Sequence, residues 1–454
     1  MSIISSIQGF FKSKKKEMMS VPARFMRTRL ILIFTVLALS IFGCVMIYSA
    51  RSIVLMEQRQ DPALMGYAQF KHLIAGLIVA FALKHFNYQW LTKKIVIFTA
   101  WFCVSAILAY TIFKGSSAKG ATRWLQIGSQ VIQPSEFTKP FFVLLGVYCI
   151  CFIQDCKKYT EFKRMGIAAL LVILPTLLIL GQPDKGGTAI IAGTLLIMIF
   201  LSGIIDAKLF FRIAFIGLAG LLLYSMHSDY SWQRIMVLFD PMAHRYGAAY
   251  QIIQGRIAFG SGGLIGVGIG EGGSKYSYLP EAHNDFILAV IGEECGFIGT
   301  VAIVFAFCVI LYCAYDIAKN ANDKKGMLIA SGAGSMLMLQ FLLNALGELG
   351  IIPLSGKPVP FLSYGGSSLI TSYMLFGLMW CVSYHSRLPE TKHDKMRRRM
   401  KVASNGAPKP RSKDTNDFTV ISGGGSDFRR STKKDTRPNN INLNSRSNDR
   451  NKRR

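Results

Sequence analysis

A single carboxylate, Asp285, stands where a polar loop gives way to an apolar segment. The loop ends in the run 278–285, and the sequence predicts an apolar helix that begins with Phe286 and Ile287. A charge at such a boundary is costly unless it is paired, hydrated or used. The ionised side chain has the chemistry of a general base, which accepts a proton from a reacting hydroxyl. The other interpretation is a helix cap, because Asp at a helix start accepts hydrogen bonds from free backbone N–H groups.

Two side chains of opposite charge, Glu136 and Lys139, lie near the start of the fourth apolar segment. Residues three apart share a helix face, so these two are predicted to pair. Pro134 suits the first turn of this helix, and Ser135 or Gln133 is predicted to cap it. The pair is either a structural ion pair that satisfies itself in the membrane or a contact for a charged substrate.

Two further polar positions are candidates for contacts with a substrate. His283 precedes Asp285 by two residues and is either a proton shuttle or a hydrogen-bonded structural histidine. Ser367 or Ser368 is predicted to cap the last apolar helix. The N-terminus of that helix would favour an anionic group if it faces outward.

Two acidic positions receive no catalytic role from the sequence. Asp184 lies in a Pro-Asp turn, where either it or Thr188 is predicted to cap the next helix. Glu348 stands in or near the ninth apolar segment, and the sequence offers no account of it.

The composition places these residues in a membrane protein. The chain has 454 residues, of which 51% are hydrophobic, and its mean hydropathy is +0.35. Much of the net charge of +27 lies in the two terminal segments. The nine cysteines avoid the predicted outside loops, so no disulfide framework is expected. A Gly-x-Gly-x-x-Gly match at 268–273 is not interpreted as a dinucleotide site, because no strand precedes it.

Ten apolar segments are predicted to cross the membrane as helices, so the expected fold class is all-α and polytopic. They lie near 30–50, 69–86, 94–113, 135–155, 165–181, 187–205, 208–226, 285–316, 327–352 and 367–386. The loop between the seventh and eighth segments, about 227–283, is far longer than a typical connection. Its aromatic and apolar residues argue against disorder and predict a short amphipathic helix from Tyr250 to Phe259.

Lysines and arginines indicate the orientation of the chain in the membrane. The even-numbered loops are richer in these residues than the odd-numbered loops, and both ends of the chain are strongly basic. Both termini are therefore predicted to be cytoplasmic, which puts Asp285 on the outer side. Three regions are expected: a basic cytoplasmic segment at 1–29, a membrane domain at 30–386 and a disordered basic tail at 387–454. The tail favours the anionic inner leaflet or a cytoplasmic partner, and no nucleic-acid partner is expected.

Several separate blocks of the sequence resemble the shape, elongation, division and sporulation (SEDS) family. They are Gln133–Lys139, the glycine-rich run at 259–273, Leu279–Phe286 with Gly292-Glu293-Glu294, and Pro358–Ser368. The blocks occur in the expected order between about residues 30 and 386. Those around Pro280, Gly292 and Ser363 are more similar to the division branch than to the elongation branch, and the sporulation branch is left open.

The resemblance implies a glycosyltransferase that polymerises lipid II into glycan strands at the outer face of the cytoplasmic membrane, at the division septum. In the family, the residue matching Asp285 is taken as catalytic, and those matching Glu136 and Lys139 line the central cavity. Arg123 and Lys275 match basic family positions, so they are expected to join Lys139 near the lipid pyrophosphate. His283 and Ser367 are counted with these substrate-binding candidates. No cofactor is assigned, and a divalent cation such as Mg²⁺ or Mn²⁺ is left open as a helper.

The same resemblance implies the partners of the protein. They are lipid II, the glycan linked to undecaprenyl pyrophosphate, a class B penicillin-binding protein that acts as transpeptidase, and other division proteins. Two alternatives are a lipid II flippase, which an intramembrane ion pair would also suit, and a non-catalytic scaffold for the transpeptidase. Asp285 distinguishes them, because neither alternative has an evident need for a carboxylate at the outer membrane boundary.

Overall fold

The computed structural model describes residues 23–386, apart from 119, 120, 129, 157, 227, 228, 248, 274, 275, 277 and 278. Within that part of the chain most residues are helical. The helices are α1 (Ala23–Glu57), α2 (Leu64–His85), α3 (Tyr88–Leu91), α4 (Lys94–Lys114), α5 (Pro134–Asp155), α6 (Glu161–Gly181), α7 (Lys185–Leu201), α8 (Ala207–Met226), α9 (Asp229–Phe239), α10 (Tyr250–Ser261), α11 (Ile287–Lys319), α12 (Lys324–Glu348) and α13 (Gly366–His385). Three short strands, β1 (Ser116–Ala118), β2 (Ala121–Ile127) and β3 (Gln130–Ile132), lie between α4 and α5.

Nine of the described helices are long and apolar enough to cross a membrane, namely α1, α2, α4, α5, α6, α8, α11, α12 and α13. The apolar helix α7 has 17 residues, or about 25 Å at 1.5 Å per residue, which is the lower limit for a span. Each of the ten predicted apolar segments is therefore a helix. The predicted all-α, polytopic fold with a large loop between the seventh and eighth segments is confirmed.

The two ends of the membrane domain are only partly covered by the structure. α1 begins at Ala23 rather than near residue 30, because the helix continues from the apolar segment into Arg27 and Arg29. Long basic side chains tolerate such a position, since their heads can reach the membrane surface. Residues 1–22 and 387–454 lie outside the described part of the chain, so their assignment as basic cytoplasmic regions stays a prediction.

A small antiparallel sheet, in the order β1-β2-β3, is an addition to the predicted fold. Ser117 pairs with Thr122 across the first hairpin, and Gln126 pairs with Val131 across the second. Gly128, with φ at +62°, makes the turn between β2 and β3. β2 contacts both α4 and α5, so the sheet holds Arg123 close to the beginning of α5.

The centre of the bundle is formed by α5, α12 and α13. Of the 18 residues in the apolar stretch of each helix, 67% are buried in α5, 67% in α12 and 72% in α13, whereas 0% are buried in α8. Small residues let the central helices pack closely: Gly332 of α12 lies against Met198 of α7, and Gly76 of α2 lies against the ring of Tyr373. Polar side chains on α5 and α12 are consequently shielded from lipid.

The long loop between α8 and α11 contains the helices α9 and α10, so the helix predicted at Tyr250–Phe259 is confirmed. α10 packs against the first turns of α11. Gly255 lies so close to Phe286 that a Cβ at this position would be 2.9 Å from the phenyl ring. The loop therefore holds the segment that precedes α11 against the bundle.

α11 is interrupted at Gly296, where φ is 68° and ψ is −166°. Two backbone N–H groups of the glycine-rich run, those of Val267 and Gly268, donate to the carbonyl oxygens of Glu293 and Glu294 at 3.0 Å. A Cβ on Gly296 would lie 2.3 Å from the backbone nitrogen of Gly266, so only glycine fits there. The glycine-rich run thus packs backbone to backbone against the interruption in α11.

Candidate active site

Asp285 lies on the wall of a cavity of about 1810 Å³. Three other residues predicted from the sequence, Arg123, Glu136 and Ser367, also line it. Lys139 and His283 are buried beside residues of the wall, with 1% and 9% of their surface exposed. The remaining candidate, Lys275, lies outside the described residues.

The backbone of Asp285 is fixed on both sides. Its N–H donates to the carbonyl oxygen of Glu281 at 3.2 Å, and its own carbonyl accepts the Nδ2–H of Asn344 at 2.9 Å. The side chain is only partly buried, and a Cβ added to Gly356 would lie 3.5 Å from Oδ2. The backbone of Asp285 therefore places its side chain at the cavity, beside Gly356.

The interpretation of Asp285 as a helix cap is wrong. α11 begins at Ile287, so Phe286 occupies the N-cap position and offers no side-chain hydrogen bond. The turn that starts at Glu281, whose φ is +57°, delays the helix by two residues and leaves Asp285 ahead of it. The N-cap position of α11 is therefore not occupied by the Asp285 carboxylate.

Four buried charged side chains meet beside the cavity, and we call them the charge cluster: Glu136, Lys139, Asp184 and Lys357. Lys139 Nζ lies 2.6 Å from Glu136 Oε2. Lys357 Nζ lies 3.2 Å from Glu136 Oε1 and 2.7 Å from Asp184 Oδ2. At most 2% of any of these side chains is exposed. Two cations balance two carboxylates, which is the condition for burying such groups at tolerable cost.

The predicted pairing of Glu136 with Lys139 is confirmed, whereas the other half of the charge cluster was not predicted. Lys139 also donates to Gln340 Oε1 at 2.7 Å, so its ammonium group is held inside the bundle. Lys357 lies more than 170 residues from both of its carboxylate partners in sequence, and helical spacing cannot detect such a contact. Lys357 lies between the ninth and tenth predicted segments, where a lysine gives no local signal of burial.

The two members of the charge cluster that lie outside the membrane-spanning helices have shifted pKa values. Burial by itself raises the pKa of Asp184, but Lys357 and Arg123 outweigh it and hold that pKa well below its usual range. Burial likewise lowers the pKa of Lys357, but Asp184 and Glu136 outweigh it and raise that pKa. Both groups are therefore ionised throughout the neutral pH range.

Arg123 fixes the turn that leads into α7. Its Nε–H donates to the carbonyl oxygen of Gln182 at 2.9 Å, and its Nη2–H donates to that of Pro183. Asp184 then caps α7 by accepting the N–H of Gly187 at 2.9 Å, as predicted. Arg123 thus connects the small sheet with the charge cluster, and its contact with a substrate stays a prediction.

Two predicted helix caps are wrong, because tertiary contacts use the hydroxyl groups instead. Ser135 donates its hydroxyl to Asp184 Oδ2 at 3.1 Å, and α5 begins without a side-chain cap. Ser367 Oγ accepts the backbone N–H of Gln133 at 3.2 Å, and the N-cap of α13 is Gly365. These bonds connect the starts of α5, α7 and α13 around the cavity.

His283 packs its ring against Tyr364, with 5.7 Å between the ring centroids. Its carbonyl oxygen accepts the backbone N–H of Tyr364 at 2.9 Å. These contacts tie the loop before α11 to the loop before α13. A role of His283 in proton transfer stays a prediction.

The cavity wall carries charges of both signs. Its basic side chains among the described residues are Lys71, His72, Arg123, Lys185 and Arg234, and its acidic ones are Glu136, Glu281 and Asp285. No group of three or more His, Cys, Asp or Glu side chains in the described part of the chain could hold a metal ion.

The sequence and the fold were compared with known proteins. The family model described as "Cell cycle protein", for FtsW, RodA and SpoVE, matches residues 29–388. A probable peptidoglycan glycosyltransferase FtsW from Trichlorobacter lovleyi is 34% identical over 369 residues, covering 81% of this chain and 96% of that protein. The stage V sporulation protein E of Bacillus subtilis is 34% identical over 361 residues, covering 79% of this chain and 97% of that protein.

Solved structures resemble the fold. One, described as "Structural coordination of polymerization and crosslinking by a peptidoglycan synthase complex", has a TM-score of 0.63 and 25% identity, covering 78% of this chain and 97% of its own. The rod shape determining protein RodA of Thermus thermophilus has a TM-score of 0.58 and 24% identity, covering 79% and 97%, and shares the fold. With the family match over residues 29–388, these likenesses establish that the chain belongs to the FtsW, RodA and SpoVE family, the SEDS proteins.

Proposed function

We propose that this protein is a peptidoglycan glycosyltransferase that polymerises lipid II into glycan strands at the outer face of the cytoplasmic membrane. The observation that carries the proposal is the position of Asp285 on the wall of the large cavity. A volume of about 1810 Å³ exceeds that of an ordinary small-molecule pocket, as two lipid-linked saccharides would require. Relatives at 34% and 33% identity that are named as peptidoglycan glycosyltransferases support the assignment.

Glycosyl transfer requires a base at the attacking hydroxyl. The hydroxyl oxygen of the incoming disaccharide forms a bond to the anomeric carbon of the growing chain, and its proton passes to the Asp285 carboxylate. The bond from that carbon to the lipid pyrophosphate breaks, and undecaprenyl pyrophosphate leaves with the electron pair. Positioned general bases typically contribute roughly 10²–10⁴-fold to such rates.

The leaving pyrophosphate needs positive charge near it. Arg123 lines the cavity together with Lys71 and Lys185, and these cations would stabilise the charge that develops on the pyrophosphate oxygens. Lys139 offsets the negative charge of Glu136, a carboxylate of the cavity wall that would otherwise repel the pyrophosphate. Lys275, outside the described residues, remains a further candidate for this role.

The cellular setting forms part of the same proposal. The solved complex that shares this fold is described as coordinating polymerisation with crosslinking, which supports a class B penicillin-binding protein as the transpeptidase partner. Sequence blocks of the division type support action at the septum with other division proteins. The sporulation relative at 34% identity makes that branch the competing assignment.

The proposed orientation predicts which positions an impermeant thiol reagent reaches. In a cysteine-free background, cysteine at Ser261 or Ser274 should react in intact spheroplasts, because the loop before α11 is expected outside. Cysteine at Lys319, the last residue of α11, or at Ser412 in the tail should react only after the membrane is opened. Labelling in the reverse pattern would put Asp285 on the cytoplasmic side and overturn the proposed site of action.

Polymerisation of lipid II by the purified protein, with and without its transpeptidase, tests the proposed function. Glycan strands resolved by gel electrophoresis are the expected product. A flippase would instead move labelled lipid II across the bilayer of a proteoliposome and make no strands. A scaffold would do neither while still binding the transpeptidase. Absence of strands under conditions where the transpeptidase is bound would refute the proposed enzyme.

A further inference from the structure

Glu348 caps α11 from a neighbouring helix. It is the last residue of α12, its side chain is 0% exposed, and its Oε2 accepts the N–H of Ala289 at 2.9 Å. This N–H group belongs to the first turn of α11, where no intrahelical acceptor exists. Since Phe286 at the N-cap offers no acceptor, Glu348 does what an N-cap side chain usually does.

Asn344 stands one turn earlier on the same face of α12. Its Nδ2 donates to the carbonyl oxygens of Asp285 and Lys357, each at 2.9 Å. The C-terminal end of α12 therefore holds the chain on both sides of Phe286, at Asp285 and at Ala289.

Stability alone does not account for a carboxyl group at this position. Within the described part of the chain no lysine or arginine forms an ion pair with Glu348, and Oε1 accepts no hydrogen bond. A buried carboxyl group without a cation is costly, and an apolar side chain of similar size avoids that cost. What the carboxyl group supplies, and leucine would not, is an acceptor for the first turn of α11.

We propose that Glu348 is a positioning residue for glycosyl transfer: it fixes the first turn of α11 and thereby the place of Asp285 at the cavity. The inference rests on the proposed function. It adds a residue to the site that makes no contact with the reacting atoms. Small displacements of a reacting group are expensive, since an error of about 1 Å can cost 10²-fold in rate.

Two variants test the inference. Glu348→Leu removes the acceptor at similar volume, and Glu348→Gln keeps an acceptor oxygen without the charge. We expect kcat for lipid II polymerisation to fall about 10–100-fold in the Leu variant, with KM within about twofold of the wild type. The Gln variant should keep kcat within about threefold. Hydrogen exchange of the amides at 287–290 should accelerate in the Leu variant and stay close to the wild type in the Gln variant.

A matched control is Asp316→Leu, because Asp316 is a similarly buried carboxyl group near the opposite end of α11, where it accepts the hydroxyl of Thr28 at 2.7 Å. This variant should lose stability without losing kcat per folded molecule. Unchanged kcat and unchanged exchange in Glu348→Leu would overturn the inference, as would a Gln variant as impaired as the Leu variant.

Hydrogen exchange separates this inference from the proposed function. If the wild type makes no strands, the proposed enzymatic function is refuted. Hydrogen exchange still tests the cap in that case, because unchanged exchange at 287–290 in the Leu variant would show that Glu348 does not cap α11. If the Leu variant does not fold, Glu348→Asp replaces it, because a side chain shorter by one methylene keeps its charge but withdraws its oxygens. Wild-type kcat and exchange in the Asp variant would then overturn the inference.

Discussion

Replacing Asp285 with Asn should lower the rate of lipid II polymerisation by roughly 10²–10⁴-fold, because the amide cannot take the proton of the attacking hydroxyl. The fold should survive the change. Two backbone hydrogen bonds hold Asp285 in place, one to the carbonyl oxygen of Glu281 and one from Asn344, and Asn keeps the size and one acceptor oxygen of the side chain. The free energy of unfolding is therefore expected to stay within about 0.5 kcal/mol of the wild type.

The measurement is strand synthesis by purified protein, together with thermal stability and binding of the transpeptidase. Asp240→Asn is a matched control, since Asp240 lies in the same long loop, is exposed and accepts a local backbone N–H, that of Ala243 at 3.0 Å. The control should polymerise normally. Strands of normal length, made at a normal rate by the Asp285→Asn protein, would exclude Asp285 as the base.

Lys357→Met should be the most destabilising single change in the charge cluster. Lys357 contacts both carboxylates of the cluster, and without it Asp184 loses its lysine partner while Glu136 keeps Lys139. Removing one partner of a buried ion pair typically costs about 3–5 kcal/mol. Thermal unfolding in detergent measures the loss. Lys319→Met, at an exposed lysine in the last turn of α11, should change stability by no more than about 0.5 kcal/mol.

A second substitution tests the electrostatic origin of that loss. Asp184→Asn keeps an oxygen for the N–H of Gly187 but removes one negative charge, so it restores neutrality in the Lys357→Met background. The double variant should be more stable than Lys357→Met by about 2 kcal/mol, within the range of coupling seen for contacting residues. If the double variant instead lost as much stability as the two single variants together, charge balance would not be what holds the cluster together.

The pKa shifts give the pH range in which this coupling operates. Asp184 has a lowered pKa, so its stabilisation is present above its ordinary value of 3.8 and is lost as the pH falls below it. Lys357 has a raised pKa, so its stabilisation is present below its ordinary value of 10.5 and is lost as the pH rises above it. Measurements at neutral pH therefore sample Asp184 and Lys357 in their ionised forms.

Much of the fold could be predicted from the sequence because a span is a local property. Runs of apolar residues predicted all ten helices. The change from polar to apolar sequence at Asp285 pointed to the carboxylate that lies on the cavity wall. The pairing of Glu136 with Lys139 follows from helical spacing alone. The small sheet could not be predicted, because β1 and β3 have three residues each, too few to display an alternating pattern.

Contacts between distant segments could not be predicted in this way. Glu348 and its partner Ala289 are 59 residues apart, and nothing in the local sequence of either indicates the other. The same holds for Ser367 and Gln133, which are 234 residues apart. Local spacing predicts that Ser135 and Ser367 cap helices, whereas in the folded chain their hydroxyl groups bond to Asp184 and Gln133. Local rules therefore identified the charged residues of the site more readily than their connections.

The burial of α8 bears on how the enzyme is assembled. None of its residues is fully buried by protein, yet Leu218, Leu221 and Leu222 form part of the cavity wall. In a two-step picture, α8 is already a stable helix in the bilayer before it joins the others. Its 20 residues span about 30 Å, so a thinner bilayer should tilt α8 before it disturbs the central helices. The width of the cavity should therefore respond to the thickness of the surrounding membrane.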